Sequence, residues 1–141
     1  MEHLQHSLTA AVLWLAVTSF ALAADVKVIA NPSVKASAIS SEEIKGVFLE
    51  TKTSLSDGSR VQPALLKSGA AHEAFVRQYV GKTEVALETY YRSLVFTGRG
   101  LIPTALASDA EMVSYVAKTK GAVGYVSVGA TVAGVKTLEV K

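Results

Sequence analysis

The chain has 141 residues, 50% hydrophobic and 18% charged, with a formal net charge of +2 and no cysteine. A chain of this size builds one core and not two. Without thiols, disulfide scaffolds, thiolate metal sites and cysteine nucleophiles are excluded, and the small, evenly spread charge argues against a nucleic-acid partner. Taken in chain order, the first feature is the apolar run Leu8–Ala24, which ends in Ala21-Leu22-Ala23. It predicts a secretory signal peptide over 1–24, cleaved after Ala23 or Ala24, with one domain over 25–141 in the periplasm or outside the cell. The run falls short of the roughly 20 residues that span a bilayer comfortably. Ahead of it stand Glu2, His3 and His6 rather than Lys or Arg. Past this leader His72 is the one remaining histidine, so a multi-histidine metal site is excluded too.

Asp25–Ala30 alternates and is rich in β-branched residues, which predicts a strand ended by Asn31-Pro32. Ser33–Ile39 reads as a loop. Ser40 followed by Glu43 forms a capping box for a helix whose buried face carries Ile44, Val47 and Phe48. Thr51–Arg60 is polar, with a turn at Asp57-Gly58. Val61–Leu66 reads as a second strand, and Pro63 places it at an edge or at a strand start. A tight loop Lys67-Ser68-Gly69 leads into a helix with Ser68 as its cap, stopped by Gly81. Thr83 caps a third helix with Leu87, Tyr90, Tyr91 and Leu94 on one face, broken at Thr97-Gly98-Arg99-Gly100. An extended segment, Leu101–Ala107, precedes a capping box of Ser108 and Glu111. Met112, Val113 and Val116 face inward on the helix that follows, which Gly121 ends. Val123–Val128 and Val135–Val140 are the last strands. The alternation predicts an α/β fold, a mixed sheet flanked by helices.

Hydrolase elbows, phosphate-binding Walker loops and zinc-protease motifs are absent, and no nucleophile–base pair is visible, so the sequence does not read as an enzyme. Gly98-x-Gly100 follows a helix, and Pro103 stands where a dinucleotide fingerprint needs glycine. Glu42-Glu43 is explained by the helix cap. His72 reads as a solvated helix residue, and Tyr79, Tyr90, Tyr91 and Phe96 as core. Two anion-binding candidates remain. One is Lys67-Ser68-Gly69-Ala70, where free N–H groups at a helix start and a serine hydroxyl can meet a negative group; an ordinary helix cap explains the same residues. The other is Arg99 on its glycine-flanked turn, a guanidinium able to grip an oxyanion with two parallel bonds; a helix-ending turn is the alternative.

Five segments in register carry a resemblance: Ala30-Asn31-Pro32, Ile39–Thr53, Val61-x-Pro63 with Lys67–Ala70, Phe96–Gly100, and Gly121-Ala-Val-Gly-Tyr-Val126. Together they resemble small exported proteins related to the phosphate-binding proteins of bacterial ABC importers, over nearly all of residues 25–141. The resemblance implies a single-lobe domain of the periplasmic-binding-protein type. It implies non-covalent binding of a small oxyanion, phosphate in that family, for an ABC permease or a sensor, with no cofactor and no metal. The ligand-binding residues it points to are Ser68, Gly69, Ala70 and Ala71, with Lys67 and Arg99 supplying charge and Asn31 orienting the neighbouring loop. The chain departs from the family at Glu50, where glycine is usual, at Leu55 in place of tryptophan, at Ala70 in place of threonine, and at Ala64 in place of arginine. Only one of the family's two lobes is present, so a homodimer supplying the second wall is one expectation. An accessory module that keeps the lobe but binds a protein instead, through Leu101-Ile102-Pro103, is the other.

Overall fold

The β-branched run after Asp25 forms β1 (Val26–Ala30), and its last three residues are buried on both faces. The structure, a computed structural model, describes residues 26–141; the expected leader lies outside them. The remaining elements follow in chain order: β2 (Ala38–Ile39), α1 (Ser41–Phe48), β3 (Gln62–Leu66), α2 (Ala70–Phe75), α3 (Glu84–Phe96), β4 (Thr104–Leu106), α4 (Asp109–Lys118), β5 (Ala122–Ser127) and β6 (Lys136–Val140). A π-helical turn over Val76–Val80 extends α2. The six strands make one mixed sheet in the order β2-β6-β1-β5-β3-β4, as the strand–helix alternation predicts. β1 runs antiparallel to β5 and β6, while β5, β3 and β4 are parallel to one another.

Helices cover both faces of the centre, which is why Ala122–Val126 of β5 is buried throughout. On one face a Cβ at Gly124 would lie 2.5 Å from Met112 Sδ and 3.3 Å from Val116. The glycine lets α4 press directly onto the strand. On the other face the Tyr125 ring stacks on Phe75 at 3.8 Å between centroids, and Phe48 packs edge-on against Phe75 at 4.8 Å. This aromatic layer joins α1 and α2 to the sheet.

The local signals for helix starts hold. Ser40 accepts from Glu43 N–H, and Glu43 accepts from Ser40 N–H. Thr83 caps α3 and Ser108 caps α4, although Glu111 reaches back to the N–H of Ala107 instead of that of Ser108. Other expectations are corrected. The loop after β1 contains the short strand β2, paired with β6. Gly69, not Ser68, occupies the cap position of α2. β3 is interior, and Pro63 is tolerated as a strand start. The neighbouring Gln62 N–H bonds to Gly121 O on the β5 side, so the nitrogen of Pro63 faces β4, whose pairing begins only at Ala64. Tyr91 is buried as expected, and Tyr79 and Tyr90 are half-buried, but Phe96 is 94% exposed.

Two helix ends share one geometry. After α1, Glu50 N–H bonds to Val47 O and Thr51 N–H to Gly46 O. After α3, Gly98 N–H bonds to Val95 O and Arg99 N–H to Leu94 O. Both are Schellman ends, which place one residue in the left-handed conformation. At α3 that residue is Gly98, with φ 67°; at α1 it is Glu50, with φ 60°. Glu50, where the resemblance expects glycine, therefore occupies a position whose backbone favours glycine. Tyr91 and Tyr90 of α3 donate to the free carbonyls of Phe48 and Leu49 at 2.6 and 2.5 Å, tying α3 to the end of α1.

Candidate functional site

The parallel strands β3, β4 and β5 point their C-terminal ends at one edge of the fold, the edge where open α/β sheets bind ligands. There Lys67 N–H donates to Leu106 O on β4 at 2.9 Å, and the chain turns away from the sheet. Gly69 makes the turn at φ 103° and ψ 172°, a region essentially closed to residues with a Cβ. Helix α2 starts at once, and Glu73 N–H closes its first turn onto Gly69 O at 3.0 Å. No side chain caps this start. Among the described residues, the N–H groups of Ser68, Gly69, Ala70 and Ala71 have no acceptor, and the Ser68 hydroxyl makes no hydrogen bond. The loop from Lys67 to Ala70 is exposed, with Ala71 buried behind it.

A second helix, α4, begins at the same edge, and the contrast is informative. Its first turn carries Asp109 and Glu111, and Asp109 already accepts from Ser127 N–H. Those carboxylates offset the positive end of α4. The first turn of α2 carries a single acid, Glu73, which is paired with Arg77, and Lys67 adds positive charge beside the open amides. Of the two helix starts, the one after β3 is the one left unsatisfied for an anion.

The loop is held from below by a buried network that joins distant parts of the chain. Tyr125 Oη accepts from Leu66 N–H at 3.1 Å and is hydrogen-bonded to His72 Nδ1. Leu66 is the last residue before the loop and His72 the first after it, so a single hydroxyl fixes both ends of Lys67–Ala71. Burial pushes the phenol pKa above its ordinary value, so the hydroxyl keeps its proton. With Leu66 N–H already donating to Oη, the arrangement that leaves no buried donor unmatched has the hydroxyl donating to Nδ1. The imidazole then carries its own hydrogen on Nε2, which faces Glu84 Oε1 at 3.6 Å. His72 is only 7% exposed, which corrects the expectation of a solvated helix residue. Burial lowers its pKa, opposed by the Glu84 carboxylate. Neither His72 nor Tyr125 stood out as a site residue in the sequence, although Tyr125 sits inside the Gly121–Val126 segment.

Two expected site residues are not brought to the loop. Asn31 N–H bonds to Ala122 O, level with Gln62 at the start of β3. Ser68 is six residues further along, about 20 Å at the rise of a strand. The Asn31 amide group donates to Val116 O and Ala117 O at 2.8 and 3.1 Å and accepts from Ser33 N–H. It caps the end of α4 and has no role at the opposite edge. Arg99 follows the C-terminal end of α3, whereas Glu84 at the N-terminal end lies against His72. The intervening 13 residues span about 20 Å. The Schellman end accounts for the Gly98-Arg99 turn without a ligand. Lys67, Ser68, Gly69, Ala70 and Ala71 remain together. Among the described residues no group of three acidic or imidazole side chains is placed to hold a metal ion.

This α/β lobe shares its fold with solved phosphate transport receptors. The chain is similar to an ABC-type phosphate transport receptor of Vibrio cholerae at a TM-score of 0.61 and 15% identity, covering 82% of this chain and 45% of that one. It is similar to a phosphate-bound structure assigned as a phosphate ABC transporter substrate-binding protein of Clostridium perfringens (TM-score 0.61, 16% identity, 82% and 44% covered). It is also similar to PstS of Borrelia burgdorferi (TM-score 0.59, 15% identity, 82% and 47% covered). The chain thus spans less than half the length of these receptors. No protein-family model matches the sequence, and no curated protein matches it at the sequence level.

Proposed function

We propose that the chain binds a small oxyanion, phosphate first among them, non-covalently at Ser68–Ala71, and delivers or reports it to an ABC permease or a sensor. The observation that carries this reading is the row of unpartnered N–H groups that opens α2, with Lys67 alongside. The backbone supplies a row of donors, the Ser68 hydroxyl adds one more, and the helix dipole favours negative charge there. The signal-peptide pattern of the sequence supports a periplasmic or extracellular setting for this function.

The reading implies weak binding by the lone chain. Ala70 lacks the hydroxyl and Ala64 the guanidinium that the related importer proteins bring to the anion. Hydrogen bonds to charged groups contribute about 1.5–3 kcal/mol each, so two lost donors cost roughly two to four orders of magnitude in affinity. An exposed loop also leaves the anion in competition with water. A second copy of the chain, closing over the loop as an opposing wall, would restore enclosure.

Calorimetry of the purified protein with phosphate, sulfate and nitrate tests this reading. Millimolar phosphate should release heat that falls at least severalfold for Ser68→Ala and is unchanged for Arg99→Ala. No heat with any of the anions would remove the ligand from the account. One observation favours a second reading, the accessory module: Phe96, Leu101 and Ile102 are 94%, 77% and 56% exposed around the turn that ends α3. Single exposed apolar residues are ordinary, but a group of large ones marks contact surfaces. Phe96→Ser should then abolish partner capture without altering anion binding.

A further inference from the structure

A concavity lies at the edge of the fold opposite the amide loop, where three loops meet. Its volume is about 470 Å³, within the usual range for small-molecule sites. Lys35 enters it from the segment after β1, Arg60 from the segment before β3, and Lys120 from the turn between α4 and β5. Asp57 is the one acidic side chain in its lining. The ion pairs among the described residues are His72–Glu84, Arg77–Glu73 and Arg92–Glu88, so none of the three cations is paired. Lys136, at the same end of β1, is different, because its ammonium group donates to Val34 O.

The walls are tied to one another through main-chain groups. Lys35 N–H donates to Ser59 Oγ at 3.1 Å, joining the first loop to the second. Gly121 N–H donates to Ser33 Oγ at 2.9 Å, joining the third loop to the first. Gln62 Nε2 donates to Lys120 O at 3.1 Å, and a Cβ at Gly121 would lie 2.8 Å from Arg60 O, so these backbones are in contact. Both carboxylate oxygens of Asp57 accept from Ser59, its N–H and its hydroxyl, at 2.9 Å each. That engagement shapes the loop, and together with the nearby charge of Lys35, with which Asp57 forms no salt bridge, it holds the carboxyl pKa below its ordinary value. The Ser33 hydroxyl hydrogen has no acceptor among the described residues. Three cations against one carboxylate leave the concavity net positive and focus a positive potential there. The space exceeds what one orthophosphate needs, and the charges enter from three sides.

We propose that this basic cleft binds the diphosphate group of a small molecule, through Arg60, Lys35, Lys120 and the Ser33 hydroxyl, independently of the Ser68–Ala71 loop. Arg60 grips one phosphoryl group with its planar fork, and the two ammonium groups neutralise the other. Inorganic diphosphate and a nucleoside diphosphate present the same group, and the test separates them. Titrating isotope-labelled protein at low ionic strength with inorganic diphosphate, ADP and orthophosphate, in parallel, reads binding residue by residue. Diphosphate should shift the amides of Ser33, Lys35, Ser59 and Gly121, with affinity at least tenfold above that of orthophosphate at the same amides. Arg60→Gln combined with Lys120→Gln should lower the diphosphate affinity about tenfold or more, since exposed charge pairs contribute up to about fivefold each. Ser68→Ala should leave it unchanged, which keeps this site distinct from the loop. Tighter binding of ADP than of inorganic diphosphate would identify a nucleotide as the source, and equal binding the free anion. Shifts confined to Lys67–Ala71, full affinity in a double variant with a native-like spectrum, response to ADP but not to diphosphate, or no shift at millimolar diphosphate would each overturn the proposal.

Discussion

Replacing Tyr125 by Phe removes one oxygen atom and leaves the ring, with its 3.8 Å stacking on Phe75, in place. The change therefore reports on the hydroxyl alone. Two groups lose their partner: Leu66 N–H, on a residue 4% exposed, and His72 Nδ1, on a residue 7% exposed. A buried polar group left without a partner costs about 1–3 kcal/mol. Relief from burying the hydroxyl itself returns part of that, so the net loss is about 2–4 kcal/mol, the range of a damaging core change. Stability of small domains runs at about 5–15 kcal/mol, so the variant still folds and the loss is measurable by urea unfolding. At a typical slope near ~2 kcal/mol per molar urea, the midpoint falls by about 1–2 M. Adding His72→Leu to Tyr125→Phe should cost less than the two single changes summed, because both break the same bond. A Tyr125→Phe loss below about 0.5 kcal/mol, the size of an ordinary surface change, would refute the view that this hydroxyl holds both ends of the loop.

Gly69→Ala meets no steric neighbour, since nothing lies within 4 Å of the added Cβ. Its cost is backbone strain at φ 103°, about 1–3 kcal/mol in urea unfolding, together with loss of the phosphate heat if the loop is the site. Glu50→Gly should act in the other direction, raising stability by about 0.5–1 kcal/mol, because relief of the left-handed strain at Glu50 outweighs the entropy cost of glycine. The pH dependence follows from His72. Its folded pKa lies below the unfolded value of about 6.5, so the unfolded chain takes up the proton first. Stability is therefore intact above that pH and is lost as pH falls through the window below it. The urea midpoint should drop on acidification there, with a smaller drop in a His72→Gln variant; parallel curves for the two proteins would contradict this.

Much of the fold was legible because its signals are local. Ser40 with Glu43, Thr83 and Ser108 each mark a helix start by bonding to an N–H three residues away. Glu50 was legible in a different way: it stood out against a family glycine, and the Schellman end explains why glycine belongs there. What the sequence concealed depends on register and on long-range contacts. The His72–Tyr125 bond joins residues 53 apart, and a histidine on the first turn of a helix carries no sign of its own burial. Asn31 and Arg99 sit in loops that the chain order cannot assign to one edge of the sheet or the other. Pairing of Gln62 with Ala122 puts Asn31 at the edge opposite Ser68, and the length of α3 carries Arg99 away from the loop. The basic cleft was invisible for the same reason, since Lys35, Arg60 and Lys120 are distant in sequence and meet only through three loops.

The central claim, that the open amides of Ser68, Gly69, Ala70 and Ala71 receive an oxyanion, is tested most directly by following those four N–H signals during a phosphate titration of labelled protein. All four should move downfield in one saturable transition at millimolar phosphate, and the transition should weaken severalfold in Ser68→Ala. If the four signals stay fixed while phosphate reaches high millimolar concentration, the loop is an ordinary helix start and the lobe serves another purpose.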